Sequence, residues 1–427
     1  MASPSPERPS QTGLEAHCRR VAALALEIGR RLRLPQDSLS LVEQAALQHH
    51  YSPLMLDGDA LDRLMTDLTG QGWWNKVGPD RLLDDMPANV KAVLRAMHAA
   101  PPPVERDQTD ILAEVVELAN VVTEHVELLP FDYKTPDQFL DEIRLMVEDE
   151  TFLPEIVLAL TSLPRARKDE LLDIVYRLPV FPSVAVRALD TSDDGVSFEQ
   201  ICQLAESDQV LAGNLVQVAN SPLFSPMKKI SNIRQAVGFI GERAASKVLM
   251  AVVLRPFFAS AKTKQLWRHS LRMAQHCERL ATQSNDVDPK EAFLAGLVHD
   301  VGRLAMEKET GELAVVRQRM LEKGCEPVFV EKVLCRFDHG ELGAEILYRW
   351  NFPEHLVEAV RKHHQPEQSQ SELASLLYLA EYWSGSEEDI PSAARFGYAL
   401  KKTGIREEAL VSADGPAGLL DTMINAA

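Results

Sequence analysis

Leu294–Met306 reads LAGLVHDVGRLAM, with His299 and Asp300 side by side in an otherwise apolar stretch. Phe293, Leu294, Leu297, Val298, Val301 and Leu304 would cover nearly every side of one helix, which predicts a buried helix. A charge in such a place is costly unless it is paired or bound to a metal. Gly296 and Gly302 flank the pair. Glycine weakens a helix interior by roughly 1 kcal/mol relative to alanine. Each is therefore expected to mark a close backbone approach.

Partners for the pair lie elsewhere in the chain. LWRHSLRMAQHCERLA carries His269 on one helix face with Met273 and His276. CRFDHGELGAEILYRWNFPEHLVEAVRKHHQPE carries His339, His363 and His364, and LASLLYLAEYW carries Glu381 at the end of an apolar run. Imidazole and carboxylate groups projected from separate helices suit a divalent metal such as Mn, Fe or Zn. Each residue also has a plainer explanation. Adjacent helix residues point about 100° apart, so His299 and Asp300 could bond to different neighbours. His363 and His364 could lie at a solvated helix end, where histidine suits the negative end of the dipole. His276 is expected on an exposed or half-buried helix face. The set of His269, His299, Asp300 and a later carboxylate points more strongly to a metal than any member alone.

Outward from this stretch, apolar residues recur at helical spacing almost everywhere, and strand signals are nearly absent. In EAHCRRVAALALEIGRRLRL, Val21, Leu24, Ala25 and Ile28 form one stripe with arginines opposite. Proline and glycine clusters such as GQGWWNKVGPD, AAPPPVERD and LPVFPS break the helices. The chain of 427 residues is expected to be all-α, with more than one domain. The expected division is a disordered Ser/Pro-rich tail over 1–13, a helical domain over 14–150, a helical linker over 151–177, a second domain over 178–385 and a short helical tail over 386–427.

The formal net charge of −18 repels phosphate backbones, which disfavours non-specific nucleic-acid binding. Five scattered cysteines form no Cys-x-x-Cys pair, so neither a disulfide framework nor a thiolate zinc site is indicated. The N-terminus has no signal-peptide core, and the longest apolar run, VLMAVVL, is too short for a membrane span. A cytoplasmic location is expected.

The order His269, then His299-Asp300, then a late carboxylate resembles the HD superfamily of metal-dependent phosphohydrolases, all-α proteins with an H…HD…D ligand pattern. YRLPVFPSVAVRALD, ICQLAESDQVLAGNLVQVANSPLF, KKISNIRQAVGFIGERAASKVLMAVVL, EAFLAGLVHDVGRLAM and WNFPEHLVEAVRKHH follow in order. Together they resemble the HDOD domain, an HD-related output domain of bacterial signalling proteins, over roughly 178–383. The resemblance implies a regulatory helical domain whose members often lack part of the ligand set. It implies His269, His299, Asp300 and Glu381 as ligands for one divalent ion (Mn, Fe, Zn or Mg). The last position is normally aspartate, and the extra methylene of Glu381 moves the carboxylate by about 1.5 Å. Arg303 stands where active HD enzymes often carry lysine. It could clamp a phosphate but not act as a base.

The N-terminal half carries a fainter copy of the same pattern. EAHCRRVAALALEIGRRL, QAALQHHYSPLM, VKAVLRAMHAAPPP and AEVVELANVV parallel the segments around His269, His299, His363 and Glu381. This copy is also similar to HD-GYP-type domains but has no GYP motif. His17 and His49 keep their places, while His50 replaces the aspartate and Asn120 the carboxylate. With both negative charges lost, no metal is expected in the N-terminal domain.

Two functions follow. One is a signalling protein whose mostly non-catalytic HDOD domain binds a protein partner or a nucleotide second messenger, with a homodimer allowed. The other is a metal-dependent phosphohydrolase acting on a nucleotide or other phosphoester, with Arg303 or the cluster Lys228, Lys229 and Arg234 holding phosphate. The sequence favours the first, and carboxylates of Asp300 and Glu381 too far apart to share an ion would make the metal site vestigial.

Overall fold

A computed structural model describes residues 11–49, 86–97, 106–128, 151–164, 168–177, 197–222, 224–258, 260, 263–284, 286–308, 311–384 and 393–411. Every regular element among them is a helix, as the 3.6-residue periodicity predicted. By packing, the chain divides into two units. One comprises 1–166 with 310–336, and the other 167–309, 337–387 and 392–427.

The first unit contains α1 (Gln11–Arg31), α2 (Gln36–Gln48), α3 (Ala88–Met97), α4 (Gln108–Leu128) and α5 (Pro154–Thr161). Val21, Leu24, Ala25 and Ile28 form the expected stripe and are fully buried against Val42, Val90, Val115 and Ile156. The arginines of α1 are not all on a solvated face, however. Arg20 is only 3% exposed. Its guanidinium is held by Glu127 at 2.6 Å and Glu326 at 2.7 Å. Helix α1 starts at Gln11, inside the stretch expected to be a disordered tail.

The second unit contains α6 (Lys168–Arg177), α7 (Phe198–Glu206), α8 (Gln209–Ala219), α9 (Ile233–Ile240), α10 (Glu242–Leu254), α11 (Thr263–Ala281), α12 (Pro289–Val298) and α13 (Arg303–Met306). The chain then leaves it for α14 (Glu312–Glu322) and α15 (Pro327–Cys335), which pack with α1 and α4 of the first unit. Arg319 reaches Glu27 at 2.5 Å, and Lys323 pairs with Glu43. The chain re-enters the second unit with α16 (His339–Arg349), α17 (Glu354–Arg361), α18 (Glu372–Ser384), α19 (Ala393–Thr403) and α20 (Glu408–Val411). The contiguous division expected from the sequence assigned 310–336 to the second domain and 151–166 to a linker. Packing assigns both to the first unit.

Helix α12 shows why the His-Asp pair is buried. Every residue from Ala292 to Val298 is inaccessible, so the helix lies inside the bundle, against α11, α17 and α18. Gly296 would bring a Cβ to 2.7 Å from the Met273 carbonyl of α11. A Cβ on Gly302 would collide with the His339 carbonyl and lie 2.7 Å from the Gly343 amide. Both glycines therefore mark close backbone approaches, as expected.

Candidate metal centre

The pair does not sit inside one continuous helix. Helix α12 ends at Val298, and α13 starts at Arg303. Between them the bonds run three residues back, from Val301 N to Val298 O (3.0 Å) and from Arg303 N to Asp300 O (3.0 Å). This tightening replaces the regular helix expected from the apolar pattern and turns both side chains into one interior space.

Four expected ligands meet there: His269 from α11, His299 and Asp300 from the turn, and Glu381 from α18. One ligand atom from each lies within 4.8 Å of the others. Glu381 Oε1 is 2.6 Å from His299 Nε2 and 3.1 Å from His269 Nε2. The extra methylene of glutamate is thus accommodated. Asp300 and Glu381 offer ligand atoms within 4.8 Å of each other, a separation that one ion can bridge.

A second group was weighed from sequence only residue by residue. His339, at the start of α16, and His363 and His364, just after α17, form a further set with ligand atoms within 4.8 Å. The solvated helix end expected for His363 and His364 is not observed, since they are 0% and 3% exposed. Helix α18 and the following chain bury that end. Asp300 stands between the two groups. Its Oδ1 lies 2.8 Å from His339 Nε2, and its Oδ2 lies 3.6 Å from His269 Nε2. The HH doublet and the DH step before α16 were the available signals, but only packing shows that they face Asp300.

Lone pairs converge in this space. His299 Nδ1 lies 2.8 Å from the Gly296 carbonyl and His363 Nδ1 2.6 Å from the Val360 carbonyl. A carbonyl only accepts, so each neutral ring carries its proton on Nδ1 and turns a bare Nε2 inward. The bare His299 Nε2 faces the carboxylate of Glu381, which is also an acceptor. Buried atoms Asp300 Oδ2, Glu381 Oε2 and His363 Nε2 have no hydrogen-bond partner. A bound cation or a proton on an imidazole offsets such a convergence of lone pairs. The donor set of imidazoles and carboxylates fits a divalent transition metal.

The electrostatics agree. Burial would raise the Asp300 carboxyl, but Arg303, His299 and His339 outweigh it and hold the group well below the usual carboxylate range. Burial likewise opposes ionisation of Glu381, and His269 and His299 prevail. Burial and the neighbouring His364, His339 and His299 push His363 well down, so that ring is neutral. Arg303 Nε lies 3.4 Å from Asp300 Oδ2, on the ligand carboxylate itself. The basic cluster offered as an alternative phosphate holder is ordinary surface: Arg234 pairs with Glu199, and Lys228 and Lys229 are exposed.

The first unit brings together the matching residues of the fainter copy. His17 Nε2 and His49 Nε2 both reach Asn120 Oδ1, at 3.0 and 3.1 Å. The His17 and His49 ring centroids are 5.3 Å apart, against 5.2 Å for His269 and His299. His49 Nδ1 lies 2.6 Å from the Ala46 carbonyl, as His299 Nδ1 does with Gly296. In this unit both Nε2 atoms lie within hydrogen-bond distance of an amide oxygen, where the second unit has the Glu381 carboxylate. His50 lies outside the described residues.

Residues 178–366 are an HDOD domain, by their match to the model of that family. The match ends before Glu381. An uncharacterized protein of Treponema pallidum is 25% identical over 252 residues, 56% of this chain and 48% of that protein. A ribonuclease Y of Lawsonia intracellularis is 25% identical over 36% of this chain and 24% of its own length. A cyclic di-GMP phosphodiesterase, CdgJ of Vibrio cholerae, is 26% identical over 24% of each chain. The chain thus spans half or less of the curated relatives it matches. A crystal structure of an HDOD domain protein of unknown function from Geobacter sulfurreducens is 22% identical, with a TM-score of 0.48, covering 60% of this chain and 97% of that one. Among the described residues no helix is long and apolar enough to cross a membrane.

Proposed function

We propose that the HDOD domain of this chain holds a divalent metal centre that hydrolyses a nucleotide phosphoester, and that the N-terminal unit is a metal-free copy with a regulatory task. One observation carries this: His269, His299, Asp300 and Glu381 bring ligand atoms within 4.8 Å of one another, and the buried Asp300 Oδ2, Glu381 Oε2 and His363 Nε2 have no hydrogen-bond partner. His269, His299, Asp300 and Glu381 would hold one ion, and His339, His363 and His364, with Asp300 between, a second. The imidazole-rich set favours Mn, Fe or Zn over Mg. When bound, such ions polarise a phosphoryl group and activate water. The chain's own residues prepare the place. The Gly296 and Val360 carbonyls fix the tautomers of His299 and His363, and Arg303 keeps Asp300 ionised. A phosphoester of a nucleotide is supported by the activities named for the ribonuclease Y and cyclic di-GMP phosphodiesterase relatives.

The regulatory alternative, a domain that binds a nucleotide or protein without turnover, is favoured by the depth of the centre. His299, Asp300, His339 and His363 are 0% exposed. The test is metal analysis of protein purified without chelator, followed by assays on phosphomonoesters, nucleotides and cyclic dinucleotides. Stoichiometric Mn, Fe or Zn with turnover, both lost in His299→Ala/Asp300→Ala, is the expected result. Full metal without turnover supports the regulatory alternative, and absence of metal sinks the proposal.

A further inference from the structure

One side of the centre is less deeply buried than the rest. His269 and Glu381 are its most exposed members, at 8% and 7%. From His269 a stripe runs along α11 at intervals of three, four and three residues: His269, Arg272, His276, Arg279. That spacing keeps all four on one helix face, over about 15 Å of axis. Arg272 is exposed and forms no ion pair with a described carboxylate. Trp383 projects from α18 two residues after Glu381. Its ring centroid is 4.5 Å from that of His276, and Arg279 lies 5.3 Å from it. The same seam between α11 and α18 thus carries two ligands of the centre, two arginines and two half-buried planar rings. Burial, Arg272, Arg279 and His269 together depress the His276 imidazole, which reflects how tightly the cations gather. In a chain with a net charge of −18, such a concentration beside a buried centre is a local exception.

We propose that Arg272, His276, Arg279 and Trp383 form the recognition strip for a small nucleotide, with Arg272 and Arg279 on phosphate and the His276–Trp383 pair against a base. Guanidinium groups recognise phosphate through paired donors, and aromatic rings stack on any base. This rests on the nucleotide reading above for its substrate class. His269 and Glu381 then present the metal centre at one end of the strip.

The experiment is calorimetric titration of the full-length, metal-analysed protein with cyclic di-GMP and with inorganic tripolyphosphate. Arg272→Gln and Trp383→Leu should each weaken cyclic di-GMP binding at least about tenfold, with metal content unchanged. Trp383→Phe should restore most of the binding, which separates stacking from a folding defect. Lys228→Gln/Lys229→Gln should change nothing. Metal-replete protein that binds neither probe overturns the strip and leaves the metal centre standing. Metal-free protein whose binding still depends on Arg272 and Trp383 supports the strip and sinks the centre. Binding insensitive to both variants, tripolyphosphate bound as tightly as the dinucleotide, or strip-dependent binding of single-stranded RNA without cyclic di-GMP binding would each overturn the proposal.

Discussion

Gly302→Ala should uncouple the two ligand groups without touching a ligand. Gly302 has ordinary helical angles, φ −59° and ψ −30°, so alanine is not excluded by backbone conformation. Space excludes it. The added Cβ would collide with the His339 carbonyl and stand 2.7 Å from Gly343 N and 2.9 Å from the His339 carbonyl carbon, where ordinary contact begins at 3.4 Å. The obstacles are backbone atoms of α16 and cannot rotate away, so α16 must recede by about 0.5–0.7 Å or more at those atoms. Metal ligands need placement within roughly 0.5 Å. His339 begins α16 and lies 2.8 Å from Asp300, so it moves first. Overpacking of this kind costs about 1–3 kcal/mol. Urea denaturation should show that loss, and metal analysis should show weakened metal retention in a folded protein. Wild-type stability together with unchanged metal content would refute the argument from close approach.

Three further outcomes are expected. Arg20→Met should destabilise the protein by about 3 kcal/mol in urea, because it strands the buried carboxylate of Glu326 and leaves half-buried Glu127 with His17 alone; a loss below about 1 kcal/mol would contradict it. Asn120→Leu removes the buried amide that lies against both His17 and His49, and losing that polar partner should cost about 1–3 kcal/mol without altering metal content. Burial, then the neighbouring Glu124, pushes the Glu117 carboxyl up to about 7 from 4.5. A raised carboxyl binds its proton more tightly in the folded state, so stability falls as pH rises from 4.5 and the full penalty is present above 7, at most about 3 kcal/mol. Glu117→Gln should accordingly raise the melting temperature at pH 8 and have little effect at pH 4, and equal shifts at both would refute the assignment.

The helical class and the core stripe of α1 were legible because both are periodic, and burial follows period. So was the grouping of His269, His299, Asp300 and Glu381, since a buried charge in an apolar run announces an unmet need. The burial of Arg20, on the face opposite the apolar stripe, is not legible in the sequence. Its partners Glu127 and Glu326 are distant in sequence, and no local pattern signals them. His363 and His364 were legible as a doublet at a helix end, but whether that end is wet depends on packing. The break in the helix after Val298 was hidden for a similar reason. An apolar run looks the same whether the chain continues as an α-helix or tightens for two bonds.

What the sequence by itself determined is the helical class and which residue types stand at the candidate positions: Asp300 and Glu381 in one half of the chain, Asn120 in the other. Charge and hydrogen-bonding capacity belong to residue type and need no coordinates. Tertiary structure alone decided that His339, His363 and His364 join Asp300 on its other side, that 310–336 packs with the first unit, and that Trp383 meets His276 and Arg279 of α11. Those are facts about which distant segments share a space, and close packing of whole helices sets them.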